Sequence, residues 1–516
     1  MPSLDRAAID PDADRVVRKL TRAGYKAYLV GGCVRDLLVG KKPKDFDVAT
    51  SATPNEIKAT FRNSRIIGRR FRLAHVFFGS KIIETSTFRA NPRDEDEIDL
   101  LIRRDNVFGT ETEDARRRDF TINGLFYDVE REEVIDHVGG LTDLEAKLIR
   151  TIGDPDVRFQ EDPVRMLRAI KFAARLDFGF EPATWRALLR WRGEISKCAP
   201  PRLLEEIHRL MRRGAARRSF ELLVETGALA VLSPHLAGLL EGPGAPAVAP
   251  VITTLTMPRP TVPRVEYVDE DPAEHDPDDP DELERMAQAA AGHPQGPDED
   301  DDHELHDSED ELDPEEQAWH RVWAEEVAPI ARPAAAVPVE LSFVLAGAEL
   351  VKRRELAWAT LDQIDKAIGE GRDPSNAVAF GVLMAPFIFG GEDLRGNELH
   401  GAIHELAHPA ILQLHVTRRD SERLRYLLIA QRKLQAARKR QGQAELTGGR
   451  DLIEDAVLLF ELLERAAGHE PTPVPAVATG EGRSDDETGD EDSDHPRKRR
   501  RRRRGGRRRR FELERA

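Results

Sequence analysis

The chain has 516 residues, too many for one compact core, so two to four domains are expected. Its net charge of -16 is uneven, because residues 266–316 hold 24 Asp or Glu against the single Arg285 and leave the remainder at +7, a mildly basic protein carrying an acidic insert. Two cysteines, Cys33 and Cys198, exclude a disulfide framework or a zinc site with ligand spacing, and the charged opening MPSLDRAAIDPDADRVV with no apolar run of about 18 residues points to a soluble cytoplasmic protein without a leader or a membrane partner.

Residues 14–24 read as an amphipathic helix on Val16, Val17 and Leu20, and KAYLVGG is a short apolar strand running into a glycine turn. VRDLLVG gives one or two helical turns stopped by Gly40. DFDVAT is the next strand, and TPNEIKATF opens a helix with Thr53 as N-cap, Pro54 at the first position and Glu56 as its capping-box partner. Strand patterns follow at SRIIG, LAHVFFG, KIIETSTF, GLFYDV and EVIDHVG. Residues 1–150 are therefore expected to form an α/β unit around a small mixed sheet.

After residue 150 the strand signals vanish, and apolar residues recur at helical spacing in DPVRMLRAIKFAARL, RLLEEIHRLMRRG, SFELLVETGALAVL, RELAWATLDQIDKAI, SERLRYLLIAQRKLQAA and DLIEDAVLLFELLERA. This predicts helical units over 151–263 and 319–470. Between them, 264–318 is too poor in apolar residues to offset its ordering entropy and is expected to be disordered. Residues 471–516 read as a disordered tail, acidic at SDDETGDEDSD and then basic at RKRRRRRRGGRRRR.

The chemistry is concentrated in GGCVRDLLVGKKPKDFDVAT, residues 31–50. Alternate residues of a strand share a face, so Asp45 and Asp47 reach one point in space while Phe46 turns into the core. Two hard carboxylates this close suit Mg²⁺ and substrate phosphates, whereas a bare D-x-D is otherwise a solvated strand end. Gly31 and Gly32 lie between a strand and a helix start, where phosphate oxygens can approach backbone N–H groups. Arg35, one turn on, is placed to reach the same triphosphate, with Asp36 bracing the turn. The histidines, His75 among them, are scattered and suggest no metal cluster.

Together with RRRDFTIN at 116–123 and EDPVRMLRAIKFAARL at 161–176, this segment resembles the class II tRNA nucleotidyltransferase and bacterial poly(A) polymerase family over about residues 14–232. The resemblance implies a catalytic head at 1–150, a nucleotide- and RNA-binding neck at 151–263 and an RNA-binding body at 319–470. It also implies transfer from a nucleoside triphosphate to an RNA 3'-hydroxyl, with two Mg²⁺ ions during catalysis. Asp45 and Asp47 supply the first metal ligands; Glu84 and Asp119 are candidates for a third acid, Glu84 as the metal neighbour and Asp119 as a brace on Arg117 or Arg118. Arg118 is implied to touch the triphosphate.

In the neck, Asp162 reads as an N-cap ahead of Pro163, with Arg165 and Arg168 on its side of the helix and Met166, Ile170 and Ala173 on the buried one. Within the family, Asp162 and Arg165 meet the base edge and Arg168 helps with phosphates. A carboxylate acceptor beside a guanidinium donor matches adenine or cytosine and rejects guanine and uracil, so this pair leaves ATP-dependent poly(A) addition and CCA addition to tRNA both open. IIGRRFRLAHVFFG, residues 66–79, resembles the signature of bacterial poly(A) polymerases, including Arg69, Arg70, Phe71 and His75, and favours the former; alternatively its arginines form a solvated basic loop. The terminal Arg run binds RNA by counterion release, and the acidic insert or this tail is a place for protein partners.

Overall fold

All seven runs read as strands join one mixed sheet. In chain order these are β1 (Ala27–Val30), β2 (Asp47–Thr50), β3 (Ser64–Ile67), β4 (Leu73–Phe78), β5 (Lys81–Thr87), β6 (Leu125–Asp128) and β7 (Glu133–Asp136). The computed structural model describes residues 4–68, 72–90, 108–242, 347–389, 397–469 and 477–479. Across the sheet the order is β3-β4-β5-β2-β1-β6-β7, and only the central β2–β5 pair is parallel. That crossover uses α3 (Pro54–Thr60), which starts with the Thr53–Glu56 capping box read from the sequence.

The period-two alternation sends side chains to two cores. Leu29, Val48, Val76, Ile83, Leu125 and Tyr127 join one large cluster with Val16, Val17 and Leu20 of α1 (Pro11–Arg22). Val30, Ala49, Phe88 and Phe126 form a smaller cluster with Ala115 of α4 (Glu111–Arg116). Helix α2 (Gly32–Leu38) leaves β1 after Gly31, whose φ of 72° lies in the left-handed region that glycine tolerates. Helix α5 (Gly140–Glu145) backs the turn that follows α4.

The rest of the described chain is helical: α6 (Pro155–Glu161), α7 (Val164–Leu176), α8 (Pro182–Trp191), α9 (Pro200–Met211), α10 (Ala216–Glu225), α11 (Ala228–Leu232), α12 (Pro234–Leu240), α13 (Ala348–Gly369), α14 (Asn376–Ile388), α15 (Asn397–Gln413), α16 (Arg418–Lys439) and α17 (Arg450–Ala466). Two corrections to the sequence reading follow. SFELLVETGALAVL is split by Gly227, at φ 70°, into α10 and α11. Strand pairing does not end at residue 150, because β8 (Leu148–Ile149) pairs with β9 (Gly179–Phe180), and Ala444–Leu446 pairs with Val477–Thr479. The acidic insert expected at 264–318, most of the tail, and Arg69, Arg70 and Phe71 lie outside the described residues. Among the described residues no helix is long and apolar enough to cross a membrane.

Close packing at the α5 start yields a stability test. A Cβ on Gly140 would lie 2.2 Å from the Thr121 carbonyl oxygen, whereas one on Gly193 meets nothing within 4 Å. Gly140→Ala should therefore cost about 1–3 kcal/mol in chemical denaturation, the usual range for overpacking, and Gly193→Ala should be close to neutral. Equal stability of the two variants would contradict the packing described.

Candidate active site

The parallel β2–β5 ladder places Asp47 opposite Glu84, and the β4–β5 ladder places Glu84 opposite His75. Three side chains thus stand in one row on three neighbouring strands, with His75 Nε2 3.6 Å from Glu84 Oε1. Asp45 lies just before β2 on the exposed approach, and Phe46 between the two aspartates is buried at 9% exposure, as alternation requires. Asp47 and Glu84 open into a cleft of about 320 Å³ also lined by Ser86, Arg89, Arg117 and Arg118.

Electrostatics single out Asp47. One side of the residue is open to solvent, yet the protein crowded around its carboxylate disfavours the charged form. This burial is the largest influence; the charge of Glu84 adds to it, Arg118 opposes it and Asp45 adds a little more, with the result that Asp47 is pushed up to about 6. An excess of negative charge on oxygen donors is the chemistry a divalent cation relieves, so Asp45 and Asp47, with Glu84 beside them, fit Mg²⁺. Among the described residues no three His, Cys, Asp or Glu side chains are gathered closely enough to hold an ion together.

Positive charge lining the same cleft is fixed by a residue the sequence reading passed over. Asp114 of α4 is fully buried and accepts from Arg117 Nε at 2.9 Å and Arg118 Nη2 at 2.8 Å. Burial raises its pKa, but Arg118 and Arg117 outweigh that and hold it below the usual carboxylate range. Its i, i+3 and i, i+4 spacing to the two arginines is the signal that could have found it. Arg118 Nη1 would sit only 2.9 Å from a Cβ at Gly31, so the glycine gives the guanidinium room. The Gly31 N–H itself already donates to the Leu125 carbonyl at 2.9 Å, because the strand ladder continues into the turn.

The other expected site residues sit away from the cleft. Arg35 is only 2% exposed: it donates to Asp36 Oδ1 from Nε at 2.9 Å and from Nη2 at 2.6 Å, bonds Asn123, and lies 4.8 Å from the centre of the Phe172 ring. It is a satisfied core cation rather than a group presented to a triphosphate. Asp119 does not pair with Arg117 or Arg118. Its Oδ1 accepts from Phe120 N and Asn123 Nδ2, and its Oδ2 accepts from Arg168 of α7 at 2.7 and 2.5 Å. Burial pushes this carboxyl up, but Arg168 and the Asn123 bond hold it at about 2.

In the neck, Asp162 ends α6 instead of capping α7, whose N-cap is Pro163. The Asp162 carboxylate is drawn to Arg202 at 2.7 Å, while Arg165 donates to Glu161 at 2.8 Å and to the Arg158 carbonyl at 2.9 Å. Met166, Ile170 and Ala173 do face the core. Asp162, Arg165 and Arg168 thus follow one another along the start of α7, each held by a different partner.

Two carboxylates with opposite shifts give opposite pH responses. Asp47 binds protons more readily folded than unfolded, so in the presence of a chelator the protein should gain stability as pH falls from about 6 towards 3.8. Asp47→Asn should abolish this gain and raise the melting temperature at pH 8; no rise would contradict the assignment. Asp119 does the reverse: its contribution is complete above 3.8 and lost as pH falls through about 2. Asp119→Asn should cost about 2 kcal/mol at neutral pH, measured by denaturant titration.

Residues 27–150 match the poly A polymerase head domain family, and residues 177–240 match the probable RNA and SrmB-binding site of polymerase A. Poly(A) polymerase I of Salmonella typhimurium is 48% identical over 232 residues, 43% of this chain and 50% of that protein. The CCA-adding enzyme of Lactobacillus johnsonii is 38% identical over 214 residues, 41% of this chain and 52% of its own. A solved tRNA nucleotidyltransferase complexed with a primer tRNA and an incoming ATP analog is 31% identical, covering 43% of this chain and 67% of that one with a TM-score of 0.36. The chain spans about half the length of the curated relatives it matches. By the two matched segments and these relatives, the protein belongs to the family of class II tRNA nucleotidyltransferases and bacterial poly(A) polymerases.

Proposed function

We propose that this chain is a template-independent poly(A) polymerase that transfers AMP from ATP to RNA 3'-hydroxyl ends and releases pyrophosphate. The observation that carries the reading is the cleft in which Asp47 and Glu84 stand side by side and which Arg117 and Arg118 also line. Carboxylates and guanidiniums lining one cleft suit a metal-bound triphosphate. In the reaction the 3'-hydroxyl loses its proton to solvent and its oxygen forms a bond to the α-phosphorus, while the bond from that phosphorus to the pyrophosphate oxygen breaks and pyrophosphate leaves. Asp45 and Asp47 would hold Mg²⁺, two ions during catalysis, which would supply activation of the attacking hydroxyl and neutralisation of the leaving group.

Each of the chain's own residues has a part in this. Arg118, fixed by Asp114, meets the triphosphate, and the left-handed turn at Gly31 keeps a side chain out of its path. Glu84 holds negative charge next to Asp47. Asp119 acts as a brace that ties the head to α7 through Arg168, and Asp162 and Arg165 read the base edge once it arrives. A second reading, CCA addition to tRNA, is favoured by the 38% identical relatives and by the same base-edge pair, which accepts A or C alike. The segment at 66–79 and the 48% identity to poly(A) polymerase I favour the first. We further propose a catalytic head at 1–150, a neck at 151–263, an RNA-binding body at 319–470, a cytoplasmic location, and an acidic insert and Arg-rich tail open to RNA or protein partners.

Incubation of purified protein with RNA and single nucleotides tests the assignment. Long tails from ATP alone are expected; CTP incorporation on tRNA lacking CCA that stops after two residues would overturn it. Asp45→Ala and Asp47→Ala should each lower the rate by at least about a thousandfold, about 4 kcal/mol of barrier, and unchanged activity would place the chemistry elsewhere. Truncation after about residue 480 should lower RNA affinity and flatten its salt dependence while sparing single-nucleotide addition on saturating RNA. An unaltered salt slope would refute the role of the tail.

A further inference from the structure

The helical half carries a second set of ligating side chains, unconnected with the cleft on the sheet. HELAH, residues 404–408, places His404 and His408 one turn apart on α15, and both are exposed. Their rings stack with centroids 4.6 Å apart and planes 20° from parallel. The opposite face of the helix is held firmly, with Leu399, Ile403, Leu406 and Ala410 at 5%, 3%, 0% and 0% exposure. His235 Nε2 lies 2.8 Å from the Leu406 carbonyl oxygen and ties α12 to the same turn. The rotation of α15 about its own axis is therefore set, and both imidazoles are presented to solvent from a rigid base.

Two histidines at i, i+4 on one helical face are the spacing at which a single borderline divalent ion is chelated. Imidazole nitrogen suits Zn²⁺, Ni²⁺ and Cu²⁺ and is a poor donor for Mg²⁺, so this pair selects a different class of cation from the Asp45–Asp47 pair. We propose that His404 and His408 form a transition-metal site, with solvent completing the coordination. The string also fits H-E-x-x-H, but peptidase chemistry needs a third protein ligand and an available glutamate. Among the described residues no third donor converges on the pair, and Glu405 already has an interaction partner, so the inference is metal binding alone.

The test uses the untagged full chain in excess Mg²⁺, with ZnCl₂ titrated against a chromogenic competing chelator. His404→Gln and His408→Gln should each weaken the tightest zinc site by more than about tenfold, the least that loss of even a supporting residue usually costs a metal site. The double variant should lose little beyond either single one, because the two ligands act as a unit. His400 stands at the same i, i+4 spacing from His404, but it is the His404 and His408 rings that are stacked together, so His400→Gln should leave the site in place. The histidines of the acidic segment, His303 and His306, remain in every variant and cannot account for a loss. Equal helicity and unchanged nucleotide incorporation establish that the variants are folded. Zinc held as tightly by the double variant, or no zinc bound by the wild type in excess Mg²⁺, would overturn the proposal.

Discussion

Asp47 and Glu84 are held shoulder to shoulder by the only parallel strand pair in the sheet, and this pairing of carboxylates, one of them crowded by protein, is the constraint around which the site is organised. Neither strand can slip to relieve it, since a one-residue shift would turn Val48 and Ile83 out of a core in which each is at most 1% exposed. The cost is instead carried in protonation: burial first and the charge of Glu84 second push Asp47 up to about 6. A site built this way is primed for positive charge, which a proton or the proposed metal ion would supply.

The counter-charge is kept from collapsing onto those carboxylates. Arg117 and Arg118 are tied to the buried Asp114, so they line the same cleft without neutralising it. A free pair of arginines would swing over to Asp47 and Glu84 and close the space a triphosphate needs. The same logic connects the sheet to the helices that follow it. From Arg175 through Asp36, Arg35, Asn123 and Asp119 to Arg168, hydrogen bonds run without a break between α2, the turn after α4, and α7. Lys171, Glu206 and Arg209 extend the charged cluster to α9, and burial brings Lys171 down to about 8 despite its bond to Glu206. Such a chain adds little net stability, because desolvation offsets attraction, but it fixes where α7 sits relative to the sheet.

Every strand of the sheet was legible because period-two alternation and turn glycines act locally, as did the Thr53–Glu56 capping box. The Asp45–Asp47 spacing and Glu84 were legible for the same reason. Apart from Asp114, whose partners are local, the site residues that escaped depend on partners distant in sequence. Arg35 looks available in a string of letters, and only the fold brings Asn123 and Phe172 against it. Asp162 resembles a cap until Arg202, forty residues on, takes its carboxylate. Helix α14 offered no signal because Ala377 to Ile388 are buried on every side, which erases the polar stripe that marks an amphipathic helix. HELAH was hidden among scattered histidines until the packing of α15 showed both rings on one exposed face.

The account rests on one convergence, metal and triphosphate meeting between the β2–β5 carboxylates and the Asp114-anchored arginines. A crystal structure with Mg²⁺ and a non-hydrolysable ATP analogue tests it most directly. The account predicts an ion bound by Asp45 and Asp47, with the triphosphate passing Gly31 and contacting Arg118. A triphosphate bound elsewhere, with the two aspartates turned apart and no ion between them, would contradict it.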